Sequence, residues 1–316
     1  MFSPSNGSKS WDKIGQLSPD QSAGSFGFSV AMTPDGNRVV IGAPPAGVGF
    51  SSGSVRGFEY FTSKWIQVGS TLFGEVHYND HFGWSVTISE DGKQIAIGSL
   101  FNINNYGMSG SFTIYEFDEG DWRGRQIING FAAGDRFGYS ASFSADGSRL
   151  AVGAIYDDAI YAKKGYVQVF YKMRGRWKQL GNMLNGQKYG DYFGFLVAIS
   201  STGDRIIIGS PQYDDVGQVQ IFHFDKGNWL PLGRSIIGDK KDHSFGRSVA
   251  MCNDGSRVAV GAIEKYDFGL DSGSVIIFDY DEEGYCHKLG NPFLMWKEAI
   301  NLGHLWPYQL MENMWL

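Results

Sequence analysis

Apolar residues along this chain come in short runs, and one arrangement of runs returns five times. A full copy begins Phe137-Gly138-Tyr139-Ser140-Ala141-Ser142-Phe143 and turns at Ser144-Ala145-Asp146-Gly147. It continues through Leu150-Ala151-Val152-Gly153-Ala154 and Gly165-Tyr166-Val167-Gln168-Val169-Phe170, and closes on Trp177-Lys178-Gln179-Leu180-Gly181. Alternation with period two predicts a strand with two unlike faces. The unbroken apolar run after Asp-Gly predicts a strand buried on both faces. Asp-Gly itself supplies a tight turn, because glycine enters the left-handed region without a steric cost. Each copy therefore predicts four short strands.

The landmarks hold their register. Phe26-Gly27, Phe82-Gly83, Phe137-Gly138, Phe193-Gly194 and Phe245-Gly246 open the units, at intervals of 56, 55, 56 and 52 residues. Trp65, Trp122, Trp177 and Trp229 mark the closing strands of the first four. Two further closing patterns stand at Trp11 and Cys286, so five openings face six closings. First-strand positions are small on one face (Ser29, Ser85, Ser140, Ser248) and bulky on the other (Val30, Val86, Val197, Val249, flanked by Phe28, Trp84, Tyr139 and Phe195), which lets neighbouring sheets nest. A lone four-stranded sheet cannot bury both faces, whereas units stacked side by side can. Radial stacking also leaves few exposed edges. The fold class read from this is all-β, a beta-propeller of four-stranded blades with five repeats visible. It is either part of a six- or seven-bladed ring or a closed ring of five.

Composition narrows the picture. Lys and Arg number 27 against 33 Asp and Glu, and no basic run offers a phosphate-backbone footprint, so no nucleic-acid partner is expected. The 44 glycines recur in register with apolar runs, which speaks for turns and close packing over disorder. Cys252 and Cys286 are too few for a disulfide framework, and pairing between them stays open. No stretch predicts a membrane span, and the first residues carry no signal sequence. The organisation read from the chain is a flexible N-terminus over 1–10, a propeller over 11–290 and an atypical tail over 291–316. That tail is either a cap on the last blade or an aberrant end.

Phe-Gly, then Asp-Gly, then Gly-Ala-Pro (complete at Gly42-Ala43-Pro44) and then Gly-x-Val-x-Val/Ile-Phe resembles the FG-GAP repeats of the integrin alpha-subunit propeller. The match lies nearer the plain FG-GAP-like repeats of uncharacterised microbial and algal proteins. The resemblance implies a seven-bladed ring, protein or glycan partners, and an extracellular or cell-surface setting. Calcium binding in that family uses alternating Asp or Asn residues in one loop. No complete series of that kind stands here, so no cofactor is assigned.

Candidate sites are few. Asp80, Asp135, Asp191 and Asp242 precede the Phe of their units, where a carboxylate serves a turn by accepting backbone N–H groups. The loops between second and third strands hold Tyr156, Asp157, Asp158, Tyr213, Asp214, Asp215, Tyr266, Asp267 and Asp271. Aromatic rings among acids suit ligand recognition, and paired acids suit a hard cation. The histidines show no metal-ligand spacing, so no metal site is assigned. No nucleophile, base and acid stand in a catalytic pattern, so no catalytic residue is assigned. The expected function is a non-enzymatic recognition or adhesion-type scaffold. The alternative is a propeller enzyme, a hydrolase, lyase or oxidoreductase, with a central site built from loops.

Overall fold

A computed structural model describes residues 2–4, 11–19, 24–45, 52–74, 80–104, 107–155, 164–239, 244–263, 273–281 and 286–295. Five antiparallel four-stranded blades follow one another along the chain. The first holds Ser29–Met32, Arg38–Ala43, Ser54–Phe61 and Lys64–Phe73. The second holds Phe82–Ile88, Gln94–Ser99, Ser111–Asp118 and Asp121–Asn129. The third holds Phe137–Phe143, Arg149–Ala154, Tyr166–Met173 and Arg176–Gln179, and the fourth Val197–Ile199, Arg205–Ser210, Gln218–Asp225 and Asn228–Pro231. The fifth holds Ser248–Met251, Arg257–Ile263, Gly273–Tyr280 and Cys286–Met295. The sixth closing pattern is thereby placed: Trp11–Lys13 pairs with Phe2–Pro4 and joins no blade sheet.

The Asp-Gly turns share one hydrogen-bond scheme. A hydroxyl or thiol two residues before the aspartate donates to it: Thr33 to Asp35 at 2.6 Å, Ser89 to Asp91 at 2.6 Å, Ser144 to Asp146 at 2.7 Å and Cys252 to Asp254 at 2.9 Å. The same oxygen or sulfur accepts the backbone N–H that opens the second strand, from Arg38, Gln94, Arg149 and Arg257 in turn. The altered fourth turn keeps the scheme with Ser200 donating to Asp204. Both thiols, Cys252 and Cys286, are free.

Blades pack face to face through one cluster per junction. Val40 and Val55 of the first blade meet Val86, Ile95 and Ile97 of the second. Ala96, Phe112 and Ile114 meet Leu150 and Val152. Ala151, Val167 and Val169 meet Ile206 and Ile208, and Ile207, Val219 and Ile221 meet Val258 and Val260. The opening phenylalanines belong to these clusters: Phe82, Phe137, Phe193 and Phe245 are buried, while Phe26 is partly covered beside Trp65.

The glycine after that phenylalanine sets the spacing. The Gly83 carbonyl lies on Gly42 of the blade before it, Gly138 on Gly98, Gly194 on Gly153 and Gly246 on Gly209. A methyl group at any of these second-strand glycines would overlap the carbonyl oxygen. Three of the carbonyls also accept a hydroxyl from the preceding first strand: Ser29 to Gly83 at 2.8 Å, Ser85 to Gly138 at 2.7 Å and Ser140 to Gly194 at 2.9 Å. A side chain opening each second strand reaches the next turn, with Arg38 donating to the Gly92 carbonyl, Gln94 to Gly147, Arg149 to Gly203 and Arg205 to Gly255.

The closing tryptophans tie the outer rim. Trp122 lies over Gly69 and donates Nε1–H to the Val68 carbonyl at 3.2 Å. Trp229 lies over Gly181 and donates to Leu180 at 3.0 Å. Gln126 stands where that glycine is missing; its carboxamide bonds the backbone N–H and carbonyl of Trp177 instead.

Candidate functional site

The residue after each Phe-Gly pair lies within the first strand of its blade or one or two residues before it. Because blades stack at a fixed step, these residues meet across junctions. Phe28 and Trp84 have ring centroids 4.6 Å apart, Trp84 and Tyr139 5.6 Å, and Tyr139 and Phe195 5.0 Å. The Arg247 guanidinium sits 5.2 Å from the Phe195 ring centroid and continues the series. Phe28 is 44% exposed and the other members are half-buried. Four rings and one cation therefore form a ladder that crosses all five blades. Tilted rings at these separations attract one another beyond simple burial, and guanidinium over a ring adds a cation–π contact.

The loops before each Phe-Gly pair stand beside the ladder. His81, Arg136, Tyr192 and Ser244 all adopt positive φ, between 45° and 57°. At the first three of these non-glycine positions a carboxylate stands just before the left-handed residue and accepts backbone N–H groups of the same loop. Asp80 accepts Phe82 N–H at 3.1 Å; Asp135 accepts the N–H groups of Phe131 and Ala132; Asp191 accepts Lys188 N–H at 2.8 Å. All three aspartates are buried. Tyr166 donates its hydroxyl to Asp135 at 3.0 Å, and burial together with that carboxylate pushes its own ionisation far above the ordinary range. Burial and the Asp214 charge outweigh Lys188 and hold the Asp191 carboxyl above its usual value.

His81 packs edge-on to Phe101, 4.8 Å between centroids, and Arg136 lies over the same ring. Burial, with the Arg136 charge, lowers the imidazole's pKa. The histidine is thus neutral near pH 7 and adds a flat polar edge to the ladder's rim.

Among the loop acids and tyrosines, Tyr213, Asp214 and Asp215 form a single 3-10 turn. Lys188 lies over the Tyr213 ring at 4.6 Å and forms an ion pair with Asp214. That carboxylate is therefore already neutralised by a chain cation. Tyr156, Asp157, Asp158, Tyr266, Asp267, Asp271 and Asp242 lie outside the described residues, so only the fourth-blade trio is placed. Among the described residues, no group of three or more His, Cys, Asp or Glu side chains is arranged to hold a metal ion. Away from the ladder, a groove of about 270 Å³ is lined by Gln187, Gln220, Pro231, Gly233, Arg234 and Ser235. It opens where Pro231 replaces a partner: in the third blade Gln168 donates to Gln179, whereas the buried Gln220 Oε1 has no partner in the fourth.

The chain matches no family model and no curated protein. Solved structures do match. A 6-phosphogluconolactonase-like protein from Bacteroides uniformis superposes with a TM-score of 0.57 at 14% identity, over 84% of this chain and 71% of that one. Its counterpart from Bacteroides fragilis gives 0.56 at 15%, over 85% and 71%. TolB from Acinetobacter baumannii gives 0.47 at 13%, over 85% and 56%. The first two establish a β-propeller fold. The resemblance to integrin-type FG-GAP repeats is not upheld, since no family model supports it and the two Bacteroides structures are other propellers. The physical reason is in the junctions. Phe-Gly, Asp-Gly and the second-strand glycine are what closely stacked blades need for packing, so they report architecture and not lineage.

The ladder itself was missed in the sequence, where Phe28, Trp84, Tyr139 and Phe195 read as the bulky side of blade packing. The signal for it was present: four aromatic residues at one register position, one per blade. Among the described residues, no helix is long and apolar enough to cross a membrane.

Proposed function

We propose that this chain is a non-enzymatic recognition scaffold, and that it binds a protein partner along the ladder from Phe28 to Arg247. The observation that supports this reading is the continuity of the rings across blades, with one end open and a cation at the other. Rigid, half-exposed aromatic surface with arginine nearby is the composition of binding hot spots. Arg136 and Arg247 favour a partner segment that carries acidic side chains beside apolar ones. The placed carboxylates serve turns or ion pairs within the chain, and such use leaves little for a catalytic pair. Tyr213 with Lys188 borders the face and extends the same chemistry.

The test is a crosslinking capture with the intact chain and with the double variant Trp84→Ala/Tyr139→Ala, each with and without calcium. The variant should lose the captured partner while keeping the circular dichroism and cooperative unfolding of a folded chain, and calcium should make no difference. Equal capture by both chains would overturn the reading. So would turnover of 6-phosphogluconolactone by the intact chain, the reaction named for its structural neighbours.

A further inference from the structure

We infer that the groove beside Gln220 is a binding site for a small molecule with a primary carboxamide at one end and a carboxylate at the other, an amino acid of the glutamine class. The closing strands of three blades follow one pattern: Trp65-Ile66-Gln67-Val68-Gly69, Trp177-Lys178-Gln179-Leu180-Gly181 and Trp229-Leu230-Pro231-Leu232-Gly233. Register places Gln67, Gln179 and Pro231 opposite one phenylalanine position, held by Phe58, Phe170 and Phe222. Proline therefore stands in the fourth blade where the first and third carry a carboxamide.

The other blades show what that carboxamide does. Gln179 accepts from Gln168 Nε2 at 3.0 Å and donates its own Nε2–H to the Gly181 carbonyl at 3.0 Å. Gln67 donates to the Gly69 carbonyl at 3.3 Å and to Thr71 Oγ1 at 3.2 Å. Each receiving group has its counterpart in the fourth blade. Gln220 stands where Gln168 does, two residues before the phenylalanine. Gly233 stands where Gly69 and Gly181 do, and Ser235 where Thr71 does. The Pro231 side chain has no polar atom and can make none of these bonds.

All three counterparts line the one groove of about 270 Å³. Gln220 is 9% exposed, and its Oε1 is buried with no partner among the described residues. A buried amide oxygen is costly to leave unbonded, so the site favours an occupant that brings a donor. A primary carboxamide carries two N–H donors and an acceptor. It pairs with Gln220 whichever way that amide is turned, and keeps a donor for the Gly233 carbonyl. A carboxylate in its place would set acceptor against acceptor. Arg234 lines the same groove, is exposed, and supplies the charge for a carboxylate at the ligand's other end. Ile221 and the Pro231 ring offer apolar surface to the methylenes between the two ends. The groove is smaller than the roughly 300–1,000 Å³ of drug-sized sites, which limits its occupant to amino-acid dimensions.

The probe is L-glutamine, titrated onto the full chain and followed by saturation-transfer NMR of its methylene protons. Binding should saturate with a Kd of about 1 mM or tighter, the range open to a ligand of roughly ten heavy atoms. L-Glutamate keeps the size and the α-carboxylate but lacks the amide donors, and should bind at least about tenfold more weakly. Pro231→Gln puts the chain's own carboxamide into the site and should abolish glutamine binding in a chain that keeps its circular dichroism. Gln220→Leu should abolish it as well. Where a variant folds poorly, the comparison of glutamine with glutamate on the unaltered chain still decides. Absence of saturable binding up to about 20 mM, equal affinity for glutamate, or undiminished binding by folded Pro231→Gln would overturn the inference.

Discussion

Single atoms decide how closely two blades approach. Gly98 lies under the Gly138 carbonyl, and an alanine methyl there would overlap it. Relief requires moving backbone against backbone, so Gly98→Ala should cost about 3 kcal/mol, at the upper end for overpacking. Urea unfolding monitored by tryptophan fluorescence measures it. Cys252 is the contrasting case. It occupies the turn position held by Thr33, Ser89, Ser144 and Ser200, donates to Asp254 and accepts from Arg257 N–H. A hydroxyl makes both bonds better than a thiol. Cys252→Ser should therefore leave the unfolding midpoint unchanged or raise it slightly.

The same turns give the molecule its acid sensitivity. The Cys252 thiol and the Ser256 hydroxyl and N–H pull the Asp254 carboxyl down to about 2. Burial works against Asp35, Asp146 and Asp204, but hydrogen bonds from the turn outweigh it and lower all three. A carboxyl with a folded pKa below its unfolded value, near about 3.9, stabilises the fold fully above that value. The contribution is lost as pH falls through the folded pKa. Stability should thus fall between about pH 4 and pH 2, and Asp254→Asn should flatten part of that fall. Asp191 runs the other way, since its raised pKa makes ionisation in the fold unfavourable. Urea midpoints measured from pH 5 to pH 2 test both statements.

At the scale of elements, the closing strand is the part that ties one blade's rim to the next. Trp229 is almost fully buried, packs against Phe224 and bonds Leu180 of the blade before it. Trp229→Ala should cost about 3–5 kcal/mol, as for other large buried rings. Arg149 reaches across a junction to the Gly203 carbonyl at 2.8 Å. Arg149→Ala should cost about 1.5–3 kcal/mol, the range for a bond with one charged partner. Strands and turns were legible in the sequence because each carries its own local signal: alternation, an apolar run, or Asp-Gly. The use of each face was less legible. Alternation shows that Tyr139 and Ser140 point to opposite sides. It does not show that Tyr139 meets Trp84 and Phe195 in neighbouring blades, because that contact depends on the step between blades. Lys188 and Asp214 were hidden for a related reason, since they join two loops of the fourth blade that lie 26 residues apart in the chain.

For the whole molecule, the repeat count and the order of blades were readable, while the state of the ring was not. Five openings and six closings left two choices for the strand at Trp11. The fold resolves them, with Cys286–Met295 closing the fifth blade and Trp11–Lys13 paired outside it. The consequence is a row of five blades in which each of the first four is nested against the next. The most direct test compares two engineered thiols in a Cys252→Ser/Cys286→Ser background. Phe61→Cys lies on the exposed surface of the first blade, and Ala198→Cys in the junction between the fourth and fifth. Close nesting predicts that the thiol at 61 reacts with a maleimide in the folded chain about as fast as a solvent thiol, while the one at 198 reacts only at the rate of unfolding. Equal reactivity of the two would mean that the fifth blade does not cover the fourth, and would contradict the account.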